Sequence, residues 1–263
     1  MKISSYNVNS VKARLENLSI TLQKEQPDVV LLQEIKCEFN DFPFLEIQTL
    51  GYEAAVLGQK SYNGVAILSK HKINVITENL PEFPDENARY IEADINIDGT
   101  VFRVASIYLP NGNPPYNDPE DQSKWMYKLQ WMEAFIKHVA SLSSFRCPVI
   151  LGGDFNVILT DFDVYDPNSF RNNALFRSEV RQRLQAFANL GFYDSFRLIH
   201  PDNTGYTFWD YAGSALQNDM GMRIDYLWMN APAFDRLQQI EVNKAPRLAS
   251  KPSDHTMLQA VLA

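Results

Sequence analysis

Eight polar residues of this chain stand where apolar stretches give out: Asn7, Glu34, Tyr108, Asp154, Asn156, Asp225, Asp254 and His255. Taken singly, Asp and Asn in such places are ordinary formers of turns and helix caps. Taken together they have chemistry. If the preceding strands end on a common edge, four carboxylates share one cleft, and their repulsion must be relieved by protonation or by a cation. The donors are oxygens, with no Cys/His cluster for zinc, which selects Mg²⁺, with Mn²⁺ as a substitute. Mg²⁺ takes only one or two carboxylates and leaves the other groups free to act on a phosphate.

Two segments carry most of this signal. In Gly152-Gly153-Asp154-Phe155-Asn156 the glycines let neighbouring backbone approach closely, and the acid and amide point the same way if the extended conformation continues. In Asp254-His255 a carboxylate beside an imidazole can fix its tautomer and raise its pKa, so that an imidazolium holds a phosphate oxygen or orients water. Adjacent strand residues face opposite ways, so Asp154 or another acid is an alternative partner for His255. Ser253 lies in no G-x-S-x-G turn, which rejects a serine hydrolase. His71, His138 and His200 sit among charged or loop residues at no ligand spacing and read as solvated.

The elements that must position these groups follow from periodicity. Val29-Val30-Leu31-Leu32 and Val149-Ile150-Leu151 each follow a proline and end near a carboxylate, as strands buried on both faces do. Alternation from Tyr90 to Ile97, then Asp98-Gly99, then Val101 to Tyr108 spells a hairpin. Later strands run Ile224 to Met229 and Met257 to Leu262. Helical spacing joins Val11, Leu15, Leu18 and Leu22 after a possible cap at Ser10; it recurs through Trp125, Leu129, Met132, Ile136 and Val139, and again from Phe176 to Phe187 before Gly191. Pro110 to Pro115 and Tyr211 to Gly221 read as loops. The order strand, helix, apolar strand occurs twice, a duplicated plan. It predicts an α/β fold, a four-layer α-β-β-α sandwich with two facing mixed sheets and outer helices, in one domain over residues 1–263.

Charge and cysteines narrow the setting. With 24 Lys+Arg against 32 Asp+Glu the net charge is −8, which argues against wholesale wrapping of nucleic acid and leaves only local basic patches. Cys37 and Cys147 form no C-x-x-C and no framework, which suits a reducing compartment. No signal-peptide stretch opens the sequence and no apolar run has membrane length, so the expectation is a cytoplasmic protein without a membrane partner.

Seven motifs, Asn7-Val8-Asn9-Ser10, Leu32-Gln33-Glu34-Ile35-Lys36, Tyr62-Asn63-Gly64-Val65-Ala66, Tyr108-Leu109-Pro110-Asn111-Gly112, Gly153-Asp154-Phe155-Asn156, Arg223-Ile224-Asp225-Tyr226 and Ser253-Asp254-His255, closely resemble the bacterial exonuclease III family. They cover nearly the whole chain in order. The resemblance implies a Mg²⁺-dependent DNA-repair enzyme that incises 5′ to abasic sites, with 3′-to-5′ exonuclease and 3′-end trimming activity. It implies Glu34 as the principal metal ligand, with Asn7 and Asp254 completing the site and Asp154 and Asn156 at its margin. Asp154 would transfer protons and Asn156 would orient it. Tyr108, Asn111 and His255 would bind the scissile phosphate, and Asp225 would hold His255 or the metal site in register.

The same resemblance places Tyr62, Arg89, Asn173 and Trp209 in loops touching duplex DNA. Lys60, Lys124, Lys128 and Arg171 would add a basic rim, and Phe208 and Trp209 would wall a pocket for an abasic sugar. The implied partner is double-stranded DNA with abasic sites or blocked 3′ ends, bound by a monomer with no obligate protein partner. The alternative is another phosphodiesterase of the same superfamily acting on RNA or a different phosphate ester. A noncatalytic binding module would predict loss of an acid, yet Glu34, Asp154, Asp225 and Asp254 are all present. The sequence departs from the pattern at Ala212, where relatives carry a basic residue, at Tyr226 and after His255.

Overall fold

The computed structural model describes residues 1–114 and 117–263; Pro115, the end of the loop expected from Pro110, lies outside the described residues. In chain order, β1 (Lys2–Asn7) leads through α1 (Leu15–Glu25) to β2 (Val29–Gln33), followed by α2 (Phe44–Thr49), β3 (Glu53–Leu57) and β4 (Val65–Ser69). Next come β5 (Ile73–Glu78), β6 (Tyr90–Ile97), β7 (Thr100–Tyr108), α3 (Ser123–Leu142) and β8 (Val149–Asp154). Then α4 (Ser178–Ala188), β9 (Phe192–Asp194), α5 (Ser195–Ile199) and β10 (Asp225–Asn230) complete the middle of the chain. It ends with α6 (Ala231–Phe234), β11 (Leu237–Asn243), α7 (Ala245–Leu248) and β12 (Met257–Leu262).

The strands form two six-stranded sheets, ordered β11-β12-β1-β2-β4-β3 and β5-β6-β7-β8-β10-β9. Each has one parallel pair, β1 with β2 and β7 with β8, and every other pair is antiparallel. Since α1 crosses over between the first pair and α3 between the second, the two orders correspond strand for strand. The duplicated plan read from the sequence is the architecture itself.

Burial explains why the apolar runs lack alternation. Along β2, Val29 and Leu31 join a core between the sheets with Ile67, Val104, Ile150 and Leu227, while Val30 and Leu32 pack outward with Leu18 and Leu22 of α1. On the other side, Trp131, Phe135, Val139, Leu184 and Phe187 of α3 and α4 cover the second sheet. Four layers result. Gly152 lies where the sheets touch, and a Cβ there would come within 2.6 Å of Leu31 and 2.7 Å of Leu227. At Gly153 a Cβ would fall on the Ile107 carbonyl of the neighbouring strand. The Asp98-Gly99 hairpin is as expected, with φ of 51° and 84° between the paired Ile97 and Thr100.

Three local expectations are corrected. Helix α1 begins at Leu15, not after Ser10; Ser10 has φ 84° and Val11 is buried in the preceding turn. Gly191 does turn left-handed, at φ 101°, but α4 has already ended at Ala188. His138 and His200 are not solvated: His138 Nε2 lies 2.8 Å from the buried Glu92 Oε2, and His200 Nε2 lies 2.7 Å from the Ile240 carbonyl oxygen. Among the described residues no helix is long and apolar enough to cross a membrane.

Candidate active site

The parallel pairs of both sheets end at one edge of the sandwich. Asn7 closes β1, Glu34 follows β2, Tyr108 closes β7, Asp154 closes β8 and Asp225 opens β10. Register places Tyr108 and Asp225 directly beside Asp154, one on each side. His255 arrives from the turn before β12. Glu34, Asp154 and His255 bring ligand atoms within 4.8 Å of one another.

Asn7 is the hub of this cluster. Its Nδ2 donates to Glu34 Oε1 at 2.9 Å and to Asp154 Oδ2 at 3.0 Å, which uses both amide protons. His255 Nε2, 3.3 Å from the same nitrogen, is therefore not an acceptor but a second donor facing Asp154 Oδ2 at 3.6 Å. His255 Nδ1 donates to Asp225 Oδ2 at 2.8 Å. Burial alone would lower the imidazole pKa; Asp225 and Asp154 outweigh it and push it up to about 10. The ring is an imidazolium at neutral pH. Asp154 moves the opposite way from most salt-bridged acids: burial raises it, and although His255 opposes, Asp225 and Glu34 add to the rise, to about 8. Burial also raises Glu34, but Lys36 at 2.8 Å and the Asn7 amide prevail and hold it below the usual carboxylate range.

The segment around Glu34 is strained. Glu34 and Lys36 adopt left-handed backbone, φ 49° and 52°, uncommon away from glycine. The turn is pinned by Ser10 N–H to the Glu34 carbonyl (2.7 Å) and by Ile35 and Lys36 N–H to the Gly64 and Asn63 carbonyls (3.2 and 3.0 Å). Asn63-Gly64 thus braces the Glu34 turn, and Tyr62 beside it stands 70% exposed. Asn156 also turns left-handed, φ 47°, so the extended backbone stops at Asp154, contrary to expectation. The two are joined instead by a turn in which Asn156 N–H donates to Asp154 Oδ1 at 2.9 Å.

The cluster opens into a cleft of about 550 Å³. Glu34, Tyr108, Asn111, Asp154, Asn156, Asn173, Asp254 and His255 all line it, so the structure assembles most residues singled out by sequence. Asn156 and Asp254 stand outside the tight cluster: the Asn156 amide bridges the Leu109 carbonyl (2.9 Å) and Asn111 (3.2 Å), and Asp254 Oδ1 accepts from Asn9 at 3.0 Å. Apolar and aromatic side chains also line it, among them Tyr165, Phe170, Leu175, Phe208, Met222 and Ile224. Phe208 packs edge-on to His255, ring centroids 5.0 Å apart.

Trp209 is not a cleft residue. Phe208 bridges Met222 and His255 in extended backbone, so its neighbour points away; the Trp209 indole is fully buried and donates to Asp219 at 3.1 Å. Arg89 is half-buried, its guanidinium 4.9 Å over the Tyr108 ring with Nη1 donating to the Tyr108 carbonyl at 3.2 Å. Lys128 leaves the expected basic rim altogether, being wholly buried in α3. Its spacing from Trp125 and Met132, three and four residues away on the apolar stripe, was the available signal.

Sequence reasoning also passed over the groups that hold the acids. Arg223 is buried and donates to Asp163 at 2.7 Å and to both oxygens of Asp194 at 3.0 and 2.8 Å, fixing the strand that carries Asp225. Thr207 Oγ1 accepts from the Asp225 N–H at 3.2 Å. Ser253 Oγ donates to the Asn7 carbonyl at 2.7 Å and accepts from the His255 N–H at 3.2 Å.

A two-sheet sandwich whose strand ends focus carboxylates, amides and an imidazolium on one cleft defines a hydrolase-type α/β protein of the nuclease and phosphatase class. The chain belongs to the endonuclease/exonuclease/phosphatase family, whose model matches residues 4–255. It is 29% identical to exodeoxyribonuclease III of Haemophilus influenzae over 99% of both chains. An AP endonuclease from Archaeoglobus fulgidus superposes with TM-score 0.92 at 33% identity, covering 100% of this chain and 99% of that one. The 3′-5′ exonuclease NExo from Neisseria meningitidis gives the same values. The exonuclease III resemblance and the four-layer fold expected from the sequence hold.

Proposed function

We propose that the protein is a metal-dependent DNA phosphodiesterase that cleaves the backbone 5′ to apurinic/apyrimidinic sites and trims 3′ ends. One observation carries this reading: a carboxylate-imidazolium cluster opens onto a cleft that apolar side chains also line. The polar groups suit a phosphate and the apolar ones suit a sugar that has lost its base. The names of the relatives, an exodeoxyribonuclease III and an AP endonuclease, support the same substrate.

The donor set fits a divalent cation. Glu34 is held ionised close to Asp154, whose pKa is raised first by burial and then by the charges of Asp225 and Glu34, a load that a cation would relieve. Glu34 and Asp154 would hold Mg²⁺, with Asn7 between them and Asp254 also lining the cleft. The bound ion would supply charge neutralisation on the phosphate. The imidazolium of His255 is a fixed donor at Nε2, held by Asp225, for a non-bridging oxygen. Tyr108, its phenol pKa pushed well up by burial, Glu34 and Asp154, keeps its proton and donates throughout the working range. Asp154, near pH 8 and between both charges, can take or return a proton at Oδ2. Asn111 and Asn156 present amides beside it.

On the DNA side, Asn173 lines the cleft, Arg89 packs on the cleft residue Tyr108, and Tyr62, Lys60, Lys124 and Arg171 stand exposed. These would meet backbone phosphates without reading sequence. We assign the activity to one domain over residues 1–263, working as a cytoplasmic monomer without an obligate protein partner. The test is cleavage of a duplex with one abasic analogue beside its intact counterpart, with Mg²⁺ and then with chelator. A single metal-dependent cut 5′ to the lesion is expected; an uncut lesion with a folded protein overturns the endonuclease reading. A second reading, a 3′-end phosphatase or exonuclease, is favoured by the equal similarity to NExo, and removal of 3′ phosphate without internal cutting would select it.

A further inference from the structure

Lys128 is the one lysine with no exposed surface, and it forms no carboxylate pair among the described residues. Its Nζ instead donates to three backbone carbonyls: Asn111 at 2.9 Å, Asn156 at 2.7 Å and Ala174 at 3.0 Å. An ammonium has three donors, and all three are used. The acceptors belong to three loop segments, the one after β7 and the two ends of the single connection between β8 and α4. Each segment delivers an asparagine to the cleft, Asn111, Asn156 and Asn173.

Above the ammonium these side chains are laced together. Asn111 Nδ2 donates to Asn156 Oδ1 at 3.2 Å, and Asn113 Nδ2 donates to Asn111 at 2.9 Å and to Asn173 at 3.2 Å. The lysine stem also shapes the first loop. Gly112 lies on it at φ 85°, and a Cβ there would come within 2.6 Å of the Lys128 Cδ. Buried lysine is expensive unless its proton donors are satisfied, and here satisfaction comes only when all three segments take their places.

We infer that Lys128 is a positioning residue for phosphodiester hydrolysis, fixing from beneath the three loop segments whose asparagines line the cleft. The inference rests on the hydrolase reading above. Lys128→Met keeps the stem and removes the donors, so the loops lose their common anchor. The expected result is a fall in kcat of about tenfold or more with KM for the abasic duplex changed less than about threefold, measured well below the melting temperature of each variant.

A lysine serving stability alone would lower the melting temperature and leave that kcat untouched. The decisive measurement is a cycle with Asn156→Ala: if Lys128 acts through the amides, Lys128→Met adds no more than about threefold to the loss already caused by Asn156→Ala. Multiplying losses, or wild-type kcat in Lys128→Met, would overturn the assignment. Should Lys128→Met fail to fold, Lys128→Gln, which retains two donors, is read in the same cycle by the same criteria. Wild-type protein that leaves the abasic duplex uncut overturns the hydrolase reading and this role with it. Wild-type cutting with multiplying losses overturns the role of Lys128 alone.

Discussion

At Asp154 the surrounding charges conflict, and the conflict dictates what substitution should do. Asp154→Asn keeps the shape and the Asn7 contact but removes the group that moves a proton. Turnover is expected to fall by about two to four orders of magnitude while duplex affinity in chelator is retained, as single-turnover cleavage and equilibrium binding would record. Near-wild-type turnover would remove Asp154 from the mechanism. His255 gives a pH signature. Its pKa, raised to about 10, keeps the donor charged below that pH, so activity that depends on it declines only as pH climbs through that value. Asp225→Asn removes the first of the two acids holding the proton, and the alkaline limb of kcat should move down toward the ordinary histidine range near pH 6.5. An unmoved limb would show that another group sets it. This scale was the most legible in the sequence, because Asp, Glu and His after apolar runs are visible as letters. Lys128 and Trp209 were misplaced because a single letter does not say which face of an element it occupies.

Among the elements, β8 and β10 bear the tightest constraints. Gly153 lies against the Ile107 carbonyl, so Gly153→Ala must push β7 and β8 apart just where Tyr108 and Asp154 are paired. A loss of about 2 to 3 kcal/mol is expected in denaturant unfolding, in the range for forced overpacking. Arg223 holds β10 through Asp163 and Asp194. Burial works against ionising Asp163, but Arg223, Arg197 and Thr160 outweigh it and keep its pKa below the usual range. A carboxyl depressed in the folded state stabilises above its unfolded pKa, near 3.9, and that contribution disappears as pH falls through the folded value. Asp163→Asn should therefore lower the melting temperature at pH 7 and flatten its decline on acidification below about pH 4. The apolar strands were readable because burial on both faces leaves an unbroken run. The turn at Glu34 and the turn at Asn156 were not, since both depend on left-handed backbone that no periodicity announces.

For the whole molecule, a net charge of −8 and the withdrawal of Lys128 into the core leave few cations to meet DNA. Arg89, Lys60, Lys124 and Arg171 would neutralise about four phosphates, so the logarithm of affinity should fall with the logarithm of salt at a slope of about −3 to −4. A slope near −8 would mean a contact surface far larger than the cleft rim. The overall layering was anticipated because strand, helix, strand occurs twice; the one-to-one match of strand orders emerged only in space.

The first sheet is built from both ends of the chain, β1 pairing with β12 and the Met1 amine donating to the Leu262 carbonyl at 2.8 Å. Synthesis therefore delivers Glu34 early and His255 more than 200 residues later. At about 5 to 20 residues per second, a nascent chain carries Glu34 for about 10 to 45 seconds before His255, while Asp154 and Asp225 follow in between. Through that interval β1 lacks its antiparallel neighbour β12, and Glu34 lacks the imidazole it will face, so the site is assembled only when distant parts of the chain meet.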